Sequence, residues 1–321
     1  MFRPIAEKRI LPREEIGRAA AYFRTGKVLR AALIRKGVIN TNYVLRTKKG
    51  RFLLRLYNLS SLESVKDELQ LLQHLTERGL RVPQPRKGKR GHVLAFDSFP
   101  LCCFHYIEGK KPVTTAALIK EVGALTGDLH NLTAAYGASY RKEGEGVLPM
   151  LRLAEEAREA LLRGGFKDAE GFLASIAAGM SEIRFPRSLP EGIIHVDIKE
   201  ENVLRDRHGA LALIDFDNSY RDKLINDVGS CLMWWCMARE RLDMSSAGAF
   251  LKGYEGRRRL SREERMNIIP AFEFNLLKQA LKYAYICLPR KEFAEKKAYY
   301  FLRCYQNVKR EEKRLAEAFS A

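Results

Sequence analysis

A group of polar residues beside two short apolar runs is the part of this sequence best suited to chemistry. His195, Asp197 and Asn202 follow one apolar run, and Asp215 ends a second run about a dozen residues later. Carboxylate and amide oxygens are ligands that Mg²⁺ accepts, usually in company with substrate phosphates. The spacing therefore predicts Asn202 and Asp215 as metal ligands, and Asp197 as the residue that orients an acceptor hydroxyl and takes its proton.

A purely structural interpretation of the same residues is the alternative. In that case His195 and Asp197 cap a turn, and Asp215 merely ends a strand. A single short motif arises by chance often enough to carry little weight. The second element, at a suitable distance from the first, favours the chemical interpretation.

The elements that must position these residues begin with a strand-rich region. In residues 30–57, two runs rich in Val, Leu, Phe and Tyr flank the polar turn 47–50, which predicts a β-hairpin. Residues 61–78 have leucines and a valine at helical spacing, and Gly79 supplies the stop. Two further strands are predicted within residues 81–112, the second in the segment PLCCFHYIEGKKP.

From residue 116 onward the pattern is helical, apart from the segment that carries the candidate residues. This change of periodicity predicts an α+β fold with two lobes. The first lobe, residues 1–106, begins with a leading helical segment at 1–29 and has a small antiparallel sheet. The second, residues 107–321, is mainly helical and contains the catalytic loop, the metal loop and the acceptor site.

Composition and charge limit the classes of protein that fit. The chain has 321 residues and is 46% hydrophobic, which is enough for a substantial core. The N-terminal segment lacks the uncharged run of a secretory signal, and the apolar stretch 231–238 is far shorter than the roughly 20 residues of a membrane-spanning helix. The six cysteines form no C-x-x-C pair, which favours reduced thiols in a cytoplasmic protein.

The balance of 57 basic against 39 acidic residues gives a formal charge of +18. Such a charge attracts anions, so we expect an acceptor that is anionic or carries a carboxylate. Acidic residues are interleaved with the basic ones, and no basic tract is flanked by aromatic residues. A dedicated nucleic-acid-binding protein is therefore not expected.

Three segments of the sequence resemble one enzyme family. HVDIKEEN at 195–202, followed by LIDFD at 213–217, resembles the catalytic and metal loops of the aminoglycoside phosphotransferase and choline kinase superfamily, which shares the protein-kinase fold. GVINTNYVLRTKKGRFLLRLYN at 37–58 resembles the phosphate-covering hairpin and third strand of type II homoserine kinases and choline kinases. DVGSCLMWWC at 227–236 resembles the helix after the metal loop in homoserine kinases. The resemblance covers roughly residues 30–290.

The resemblance implies a bilobal protein-kinase-like fold and a phosphotransferase that uses ATP and Mg²⁺. The acceptor would be a hydroxyl of a small molecule, namely a homoserine-like amino acid, an amino alcohol, a sugar or an aminoglycoside. Protein kinases have a long activation segment after the metal loop, whereas here a helix is predicted a few residues later. That departure argues against a protein substrate.

The resemblance also implies roles for individual residues around ATP. The residues that would cover the phosphates are Gly37, Asn40, Thr41 and Asn42. Arg55 falls where protein kinases have a phosphate-binding lysine, and Glu68 would be its ion-pair partner. The hinge that holds adenine through backbone groups would be Phe104, His105, Tyr106 and Ile107.

Further implied roles concern the catalytic loop. His195 and Lys199 would accompany Asp197, and Lys199 is either a contact of the γ-phosphate or a solvated charge. Asp227 would brace the loop, cap a helix, or do both.

Several alternatives stay open at the level of sequence. Trp234 and Trp235 are either aromatic groups of the acceptor site or, as their spacing beside Leu232 and Met233 favours, part of the core. A catalytically silent protein of the same fold, like the spore-coat relatives, is the second function, and the intact polar motif argues against it. A kinase of lipid-linked sugars at the membrane surface is the third, which the basic stretch 296–314 would favour.

Overall fold

The computed structural model describes residues 9–35, 39–137, 140, 142 and 144–320. A helix, α1, precedes a five-stranded antiparallel sheet of order β1-β2-β3-β5-β4, and a second helix, α2, is inserted between β3 and β4. Their bounds are α1 Arg13–Tyr22, β1 Val28–Ile34, β2 Thr41–Thr47, β3 Gly50–Leu56, α2 Leu62–Glu77, β4 Val93–Phe96 and β5 Phe99–His105. The predicted leading helix at 1–29 is therefore shorter than expected, because β1 begins at Val28, and residues 1–8 lie outside the described part.

The β2–β3 hairpin forms where the sequence predicted it. Thr47 pairs with Gly50, and the Thr47 hydroxyl accepts a hydrogen bond from the Lys49 amide at 3.0 Å. Gly50 has φ of +124°, a conformation that residues with a side chain rarely adopt. The register set by this turn pairs Asn42 with Arg55, so both lie at the same level of the sheet.

The alternation of side chains assigns each sheet face a partner. Leu54, Leu56 and Cys103 pack with residues of α1 in one apolar cluster. Cys102 and Phe104 point to the opposite face and belong to the main core, which α2 and the second lobe share. Arg55 pairs with Cys102 and therefore lies on this second face, toward α2 and the helical lobe.

Helix α2 matches its predicted segment closely. The Ser61 hydroxyl accepts a hydrogen bond from the Ser64 amide at 3.2 Å and so caps the helix start. Gly79, with φ of +84°, follows the helix end. Val65, Leu69 and Leu72 are buried on one face, and Glu68 lies on the same face and is also buried.

The second lobe is mainly helical. Its helices are α3 Ala116–Ala134, α4 Val147–Arg163, α5 Ala169–Glu182, α6 Ile225–Trp235, α7 Met244–Glu255, α8 Arg262–Met266, α9 Ile268–Ile286, α10 Lys291–Arg310 and α11 Glu312–Ser320. Its strands are β6 Glu191–Ile194, β7 Val203–Arg205, β8 Leu211–Leu213, β9 Tyr220–Lys223, β10 Met237–Ala238 and β11 Arg241–Leu242. These strands form the antiparallel pairs β6–β9, β7–β8 and β10–β11.

The short strands place the candidate residues. The loop between β6 and β7 contains Asp197 and Asn202, and the loop between β8 and β9 contains Asp215. The β10–β11 pair was not predicted, because two-residue strands are too short to have a periodicity. Among the residues that the structure describes, no helix is long and apolar enough to cross a membrane.

Candidate active site

The catalytic loop is held in place by a buried carboxylate. Asp227 accepts hydrogen bonds from the backbone amides of His195 at 2.7 Å and Val196 at 2.6 Å. Val196 has φ of +61°, which is unfavourable for a β-branched residue and persists only where the surroundings enforce it. His130 on α3 lies 3.2 Å from the same carboxylate. Asp227 thus has the bracing geometry, whereas the N-cap position of α6 is Leu224, without a side-chain cap.

His195 is buried beneath the loop and links it to the metal loop. Its Nε2 lies 3.1 Å from the Ile214 carbonyl, and its Nδ1 accepts from the Asp197 amide at 3.3 Å. These partners assign the proton to Nε2. Burial lowers the pKa of His195, so the ring is neutral near pH 7 and is suited to positioning the two loops.

Asp197 lies at the centre of a short polar network. Its Oδ2 accepts from Lys199 Nζ at 2.6 Å and from the Asn202 side-chain amide at 3.1 Å. The same Asn202 nitrogen donates to the Asp197 carbonyl at 2.8 Å, which leaves the amide oxygen of Asn202 as its metal-binding atom. Burial raises the pKa of Asp197, although Lys199 opposes this effect, and a raised pKa makes a carboxylate a better proton acceptor.

Asp215 faces an arginine from the other lobe. Its φ is +73°, and its Oδ1 accepts from Arg55 Nη2 at 2.9 Å. Arg55 Nε donates to the Asn42 side-chain oxygen at 2.9 Å, while Glu68 Oε1 is 4.0 Å from Arg55 Nη1. Burial opposes the ionised form of Asp215, but the charge and hydrogen bond of Arg55, together with the charges of His195 and Lys199, lower the pKa. Arg55 therefore bridges Asp215 and Glu68, with Asp215 as the closer partner.

Glu68 is fixed by a tyrosine that the motif analysis did not single out. The Tyr57 hydroxyl donates to Glu68 Oε1 at 2.9 Å, and both side chains are buried. Burial raises the pKa of Glu68 to about 7, against the attraction of Arg55. Tyr57 lies two residues after Arg55, directly after the end of β3, so its side chain lies on the same face of the sheet. This spacing is the sequence signal that could have identified it.

Asp217 is the main site residue that the sequence analysis did not assign. Its Oδ2 accepts from the Asn40 side chain at 2.6 Å, which ties the segment before β2 to the metal loop. Its Oδ1 is buried and has no hydrogen-bond partner among the described residues. Burial, followed by the nearby charge of Asp215, raises the pKa of Asp217 to about 6. The second acid in LIDFD was a signal for this residue, because both carboxylates leave the same short turn.

The remaining predicted phosphate-covering residues border the same cleft. Thr41 is buried, and its hydroxyl accepts from the Asn58 side chain at 3.2 Å. Asn58 also donates to the Ile39 carbonyl at 2.7 Å. Gly37, the other residue predicted here, lies outside the described residues.

The predicted hinge follows the end of β5. Phe104 is buried, and His105 is exposed. The His105 amide donates to the Gln84 carbonyl at 3.0 Å, and the Tyr106 amide donates to the Arg51 carbonyl at 3.3 Å. Within the described chain, the Ile107 amide has no such backbone partner. Of these backbone donors, that of Ile107 is the one left to bind a base.

The two tryptophans occupy different environments. Trp235 is buried, and its Nε1 donates to the Ile198 carbonyl at 2.6 Å, which supports the catalytic loop from below. Trp234 is half-buried, and Lys199 Nζ lies 5.5 Å from the centre of its ring, within range of a cation–π contact. The core assignment is confirmed for Trp235, and Trp234 packs against the edge of the main core with its ring also near Lys199.

The site as a whole carries an excess of negative charge. Four buried or half-buried carboxylates converge there, with Arg55 and Lys199 as their close cationic partners; the carboxylates are those of Glu68, Asp197, Asp215 and Asp217. No three His, Cys, Asp or Glu side chains in the described ranges are grouped as a metal site by themselves. Mg²⁺ generally needs only one or two carboxylates, with amide oxygens and phosphates completing its shell. The donors present fit that pattern.

Comparisons with known proteins agree with this geometry. The family model described as phosphotransferase enzyme family matches residues 30–263. A homoserine kinase of Rhizobium meliloti is 33% identical over 261 residues, covering 78% of this chain and 77% of that protein. The resemblance to phosphotransferases seen in the sequence is thereby confirmed.

Two solved structures show the same fold. An amicoumacin kinase in complex with AMP-PNP, Ca²⁺ and Ami has a TM-score of 0.72 at 17% identity, covering 92% of this chain and 93% of that one. A microcompartment-associated aminopropanol kinase has a TM-score of 0.71 at 17% identity, covering 94% and 98%. The predicted bilobal kinase-like α+β fold is confirmed.

Proposed function

Because the chain belongs to the phosphotransferase enzyme family, we propose that this small-molecule kinase transfers the γ-phosphate of ATP to a hydroxyl group of its acceptor in the presence of Mg²⁺. The observation that carries this proposal is the Asp197 network. A half-buried carboxylate with a raised pKa lies beside the amide of Asn202 and the ammonium group of Lys199. Phosphoryl transfer needs mainly such positioning and charge neutralisation.

Asp197 holds the acceptor hydroxyl in line with the γ-phosphate and accepts its proton as the new bond forms. Lys199, whose ammonium is 2.6 Å from Asp197, would stabilise the negative charge that gathers on the transferred phosphoryl group. Trp235 and Asp227 act through the backbone of the catalytic loop and are positioning residues.

Asn202 and Asp215 hold Mg²⁺, and Asp217 supplies a further carboxylate oxygen. A bound Mg²⁺ neutralises the charge of the phosphates and orients them for transfer. The unpartnered Oδ1 of Asp217 supports its assignment, since a buried carboxylate oxygen is costly without a ligand. His195 keeps the metal loop and the catalytic loop in register through the Ile214 carbonyl.

The nucleotide lies between the lobes. Asn40, Thr41 and Asn42 cover the phosphates, together with Gly37, which is assigned from the sequence alone. Arg55 binds the α- and β-phosphates while Glu68 and Tyr57 fix its other side. The base lies against Phe104, His105 and Tyr106 and takes the amide of Ile107. We place the boundary between the lobes after residue 106, and we expect an enzyme that consumes ATP to act in the cytoplasm.

A homoserine-like hydroxy amino acid is the first candidate acceptor. The homoserine kinase relative is 33% identical over 78% of the chain, and the excess positive charge of the protein favours an acceptor with a carboxylate. An amino alcohol is the second candidate, because the aminopropanol kinase shares the fold over 94% of the chain.

A screen of ADP release tests the proposal. The purified protein is mixed with Mg-ATP and, in turn, hydroxy amino acids, amino alcohols, sugars and aminoglycosides. We expect one class to stimulate ADP release and to yield a phosphorylated product by mass spectrometry. Asp197→Asn is the control for contaminating kinases. Failure of every class, with intact Mg-ATP binding, would favour a catalytically silent protein of this fold.

A further inference from the structure

A second charged cluster lies outside the nucleotide and metal sites. Glu145 precedes α4, and Lys278 and Lys282 lie one turn apart on α9. Glu145 Oε1 is 2.7 Å from Lys282 Nζ, and Glu145 Oε2 is 3.7 Å from Lys278 Nζ. The side chains of Lys278 and Glu145 are only 3% and 12% exposed. These three residues are called the Glu145 cluster below.

Two atoms of the Glu145 cluster lack hydrogen bonds. Within the part of the chain that the structure describes, neither Lys278 Nζ nor Glu145 Oε2 has a hydrogen-bond partner. A buried ammonium without hydrogen bonds is costly, and burial accordingly lowers the pKa of Lys278.

Neighbouring carboxylates do not supply the missing hydrogen bonds of Lys278. Asp222 on β9 accepts from the Asn226 side chain and from the Lys223 amide, both at 2.8 Å. Asp227 already binds the catalytic loop. Both acids attract the charge of Lys278 through space, but neither forms a hydrogen bond to it in the described structure. The geometry leaves Lys278 and Glu145 available to an outside molecule that bears complementary groups.

The cluster is connected to the catalytic loop through a tyrosine. Lys278 Nζ lies 6.0 Å from the centre of the Tyr220 ring, and Tyr220 packs with Val196, which directly precedes Asp197. Tyr283 follows Lys282 on a different face of α9, and its pKa, raised mainly by burial, also responds to the charges of Lys199 and Asp197. Helix α9 therefore passes near the catalytic loop, and Tyr220 links the loop to the cluster.

We propose that the Glu145 cluster binds the acceptor: Lys278 and Lys282 bind a carboxylate or other anionic group, and Glu145 binds an ammonium group of the same molecule. This inference rests on the proposed function and narrows the acceptor to a small hydroxylated zwitterion. A ligand with both charges gives the unpartnered atoms of Lys278 and Glu145 their hydrogen bonds. Such charge-assisted hydrogen bonds offset part of the cost of burying these groups.

A structural role is the competing explanation for the same residues. In that case the ion pairs simply fasten the segment before α4 to α9. Replacing Lys278 should then destabilise the fold without changing discrimination between acceptors. An acceptor-binding role instead predicts that Lys278→Met changes the discrimination between acceptors and has a smaller effect on stability. The reason is that Lys278 forms no hydrogen bond within the described protein that the substitution would remove.

The test compares acceptors that differ in one charged group. The values of kcat/KM are measured for homoserine, homoserine amide, aminopropanol and 4-hydroxybutyrate, which lacks the ammonium group, with the wild type, Lys278→Met, Glu145→Gln and Lys309→Met. Lys309 is the matched control, because it pairs with Glu273 near the start of the same helix α9. We expect the wild type to prefer homoserine over its amide by at least about tenfold, as a site built for a polar group rejects analogues that lack it.

Lys278→Met should lose most of this preference through a higher KM for homoserine, with the KM for Mg-ATP unchanged. Lys309→Met should keep it. Glu145→Gln provides a second variant, which should weaken the preference for acceptors with an ammonium group and does not depend on the folding of the lysine variant. Melting temperatures show whether each variant is folded.

Equal rates of the wild type with homoserine and its amide would overturn the inference. So would unchanged discrimination in folded Lys278→Met and Glu145→Gln. If the screen instead finds an uncharged sugar as the acceptor, the inference fails while the proposed phosphotransferase activity stands. If no acceptor is phosphorylated at all, the proposed function fails.

Discussion

The nucleotide side and the acceptor side of the cleft differ in how their polar groups are satisfied. On the nucleotide side, Arg55 binds Asp215 and Asn42, and Asn40 binds Asp217. On the acceptor side, Lys278 Nζ and the indole nitrogen of Trp234 are buried without a hydrogen-bond partner among the described residues. The nucleotide side thus has direct contacts between the lobes, although Asp217 Oδ1 there also lacks a partner among the described residues, whereas the proposed acceptor side leaves a cation and an indole N–H without a hydrogen bond.

This difference separates the residues proposed for phosphoryl transfer from those proposed to select the acceptor. Protein partners can hold Arg55 and Asp215 in place before the nucleotide arrives, because preorganised charges need little rearrangement during transfer. Unpartnered groups such as Lys278 cost stability and are suited to selecting a ligand that satisfies them. Five variants test the contrast, from the largest expected effect to the smallest.

Asp197→Asn should have the largest effect on turnover. The change keeps the size and a hydrogen-bonding oxygen but removes the charge and the proton acceptor. We expect kcat to fall by about 10²-fold or more, the scale of general acid–base catalysis, while Mg-ATP affinity changes little. The measurement combines steady-state kinetics with calorimetry of nucleotide binding. Turnover at the wild-type rate would show that Asp197 is not the base.

Asp215→Ala should instead weaken nucleotide binding. It removes a proposed metal ligand and leaves Arg55 without its closest partner at 2.9 Å. Since loss of a residue that merely supports a metal ligand costs ~10–100-fold in metal affinity, we expect at least that reduction in Mg-ATP affinity. Calorimetry with and without Mg²⁺ measures it. An Mg-ATP affinity equal to that of the wild type would contradict the assignment of the metal site.

Glu68→Gln should change how stability depends on pH. Burial raises the pKa of Glu68 to about 7 in the folded protein, from a usual value of 4.5. The unfolded chain therefore releases this proton at lower pH than the folded one, so the contribution of Glu68 to stability is full below pH 4.5 and is lost as the pH rises through 7. Glutamine has no proton to release in this range, so the variant does not lose stability in this way as the pH rises.

Melting curves of the protein without nucleotide test the expectation. The melting temperature of Glu68→Gln relative to the wild type should rise by roughly 5 °C between the two ends of that pH window. Glu63→Gln, at an exposed position of the same helix, is the matched control and should follow the wild type throughout. A constant difference across the range would show that Glu68 is not held in this buried environment.

The two tryptophans give the smallest effects and compare the two kinds of site directly. Trp235→Phe loses a hydrogen bond of 2.6 Å to the Ile198 carbonyl, so the free energy of unfolding should fall by about 1 kcal/mol. Trp234→Phe loses an indole nitrogen without a partner in the described structure, so stability should change by less than about 0.5 kcal/mol. Chemical denaturation measures both values, and equal losses would erase the distinction.

The resemblance and the local patterns identified much of the nucleotide side in advance. Asn202 and Asp215 were chosen because each follows an apolar run within a short stretch of sequence. The resemblance assigns Arg55, because this residue falls where protein kinases have a phosphate-binding lysine. Their roles stay predictions until the variants are measured.

The acceptor side could not be found in this way. Glu145 and Lys278 are more than 100 residues apart in the chain, and a lone lysine on a helix usually indicates a solvated surface. Only the packing of α9 against α6 and the segment before α4 buries Lys278 and brings it to the carboxylate. Asp217 was overlooked for a related reason, because its partner Asn40 lies in the other lobe.

The sequence by itself determined the fold class, the hairpin, helix α2 and the polar residues of the two loops, because periodicity, turn residues and short spacings act over a few residues. The tertiary structure alone decided that Arg55 binds Asp215 more closely than Glu68. It also decided that Trp235 supports the catalytic loop and that Lys278 is buried. Each of these features depends on parts of the chain that are distant in sequence and pack together so that water is excluded. Burial then sets both the pKa of a charged group and its need for a hydrogen-bond partner.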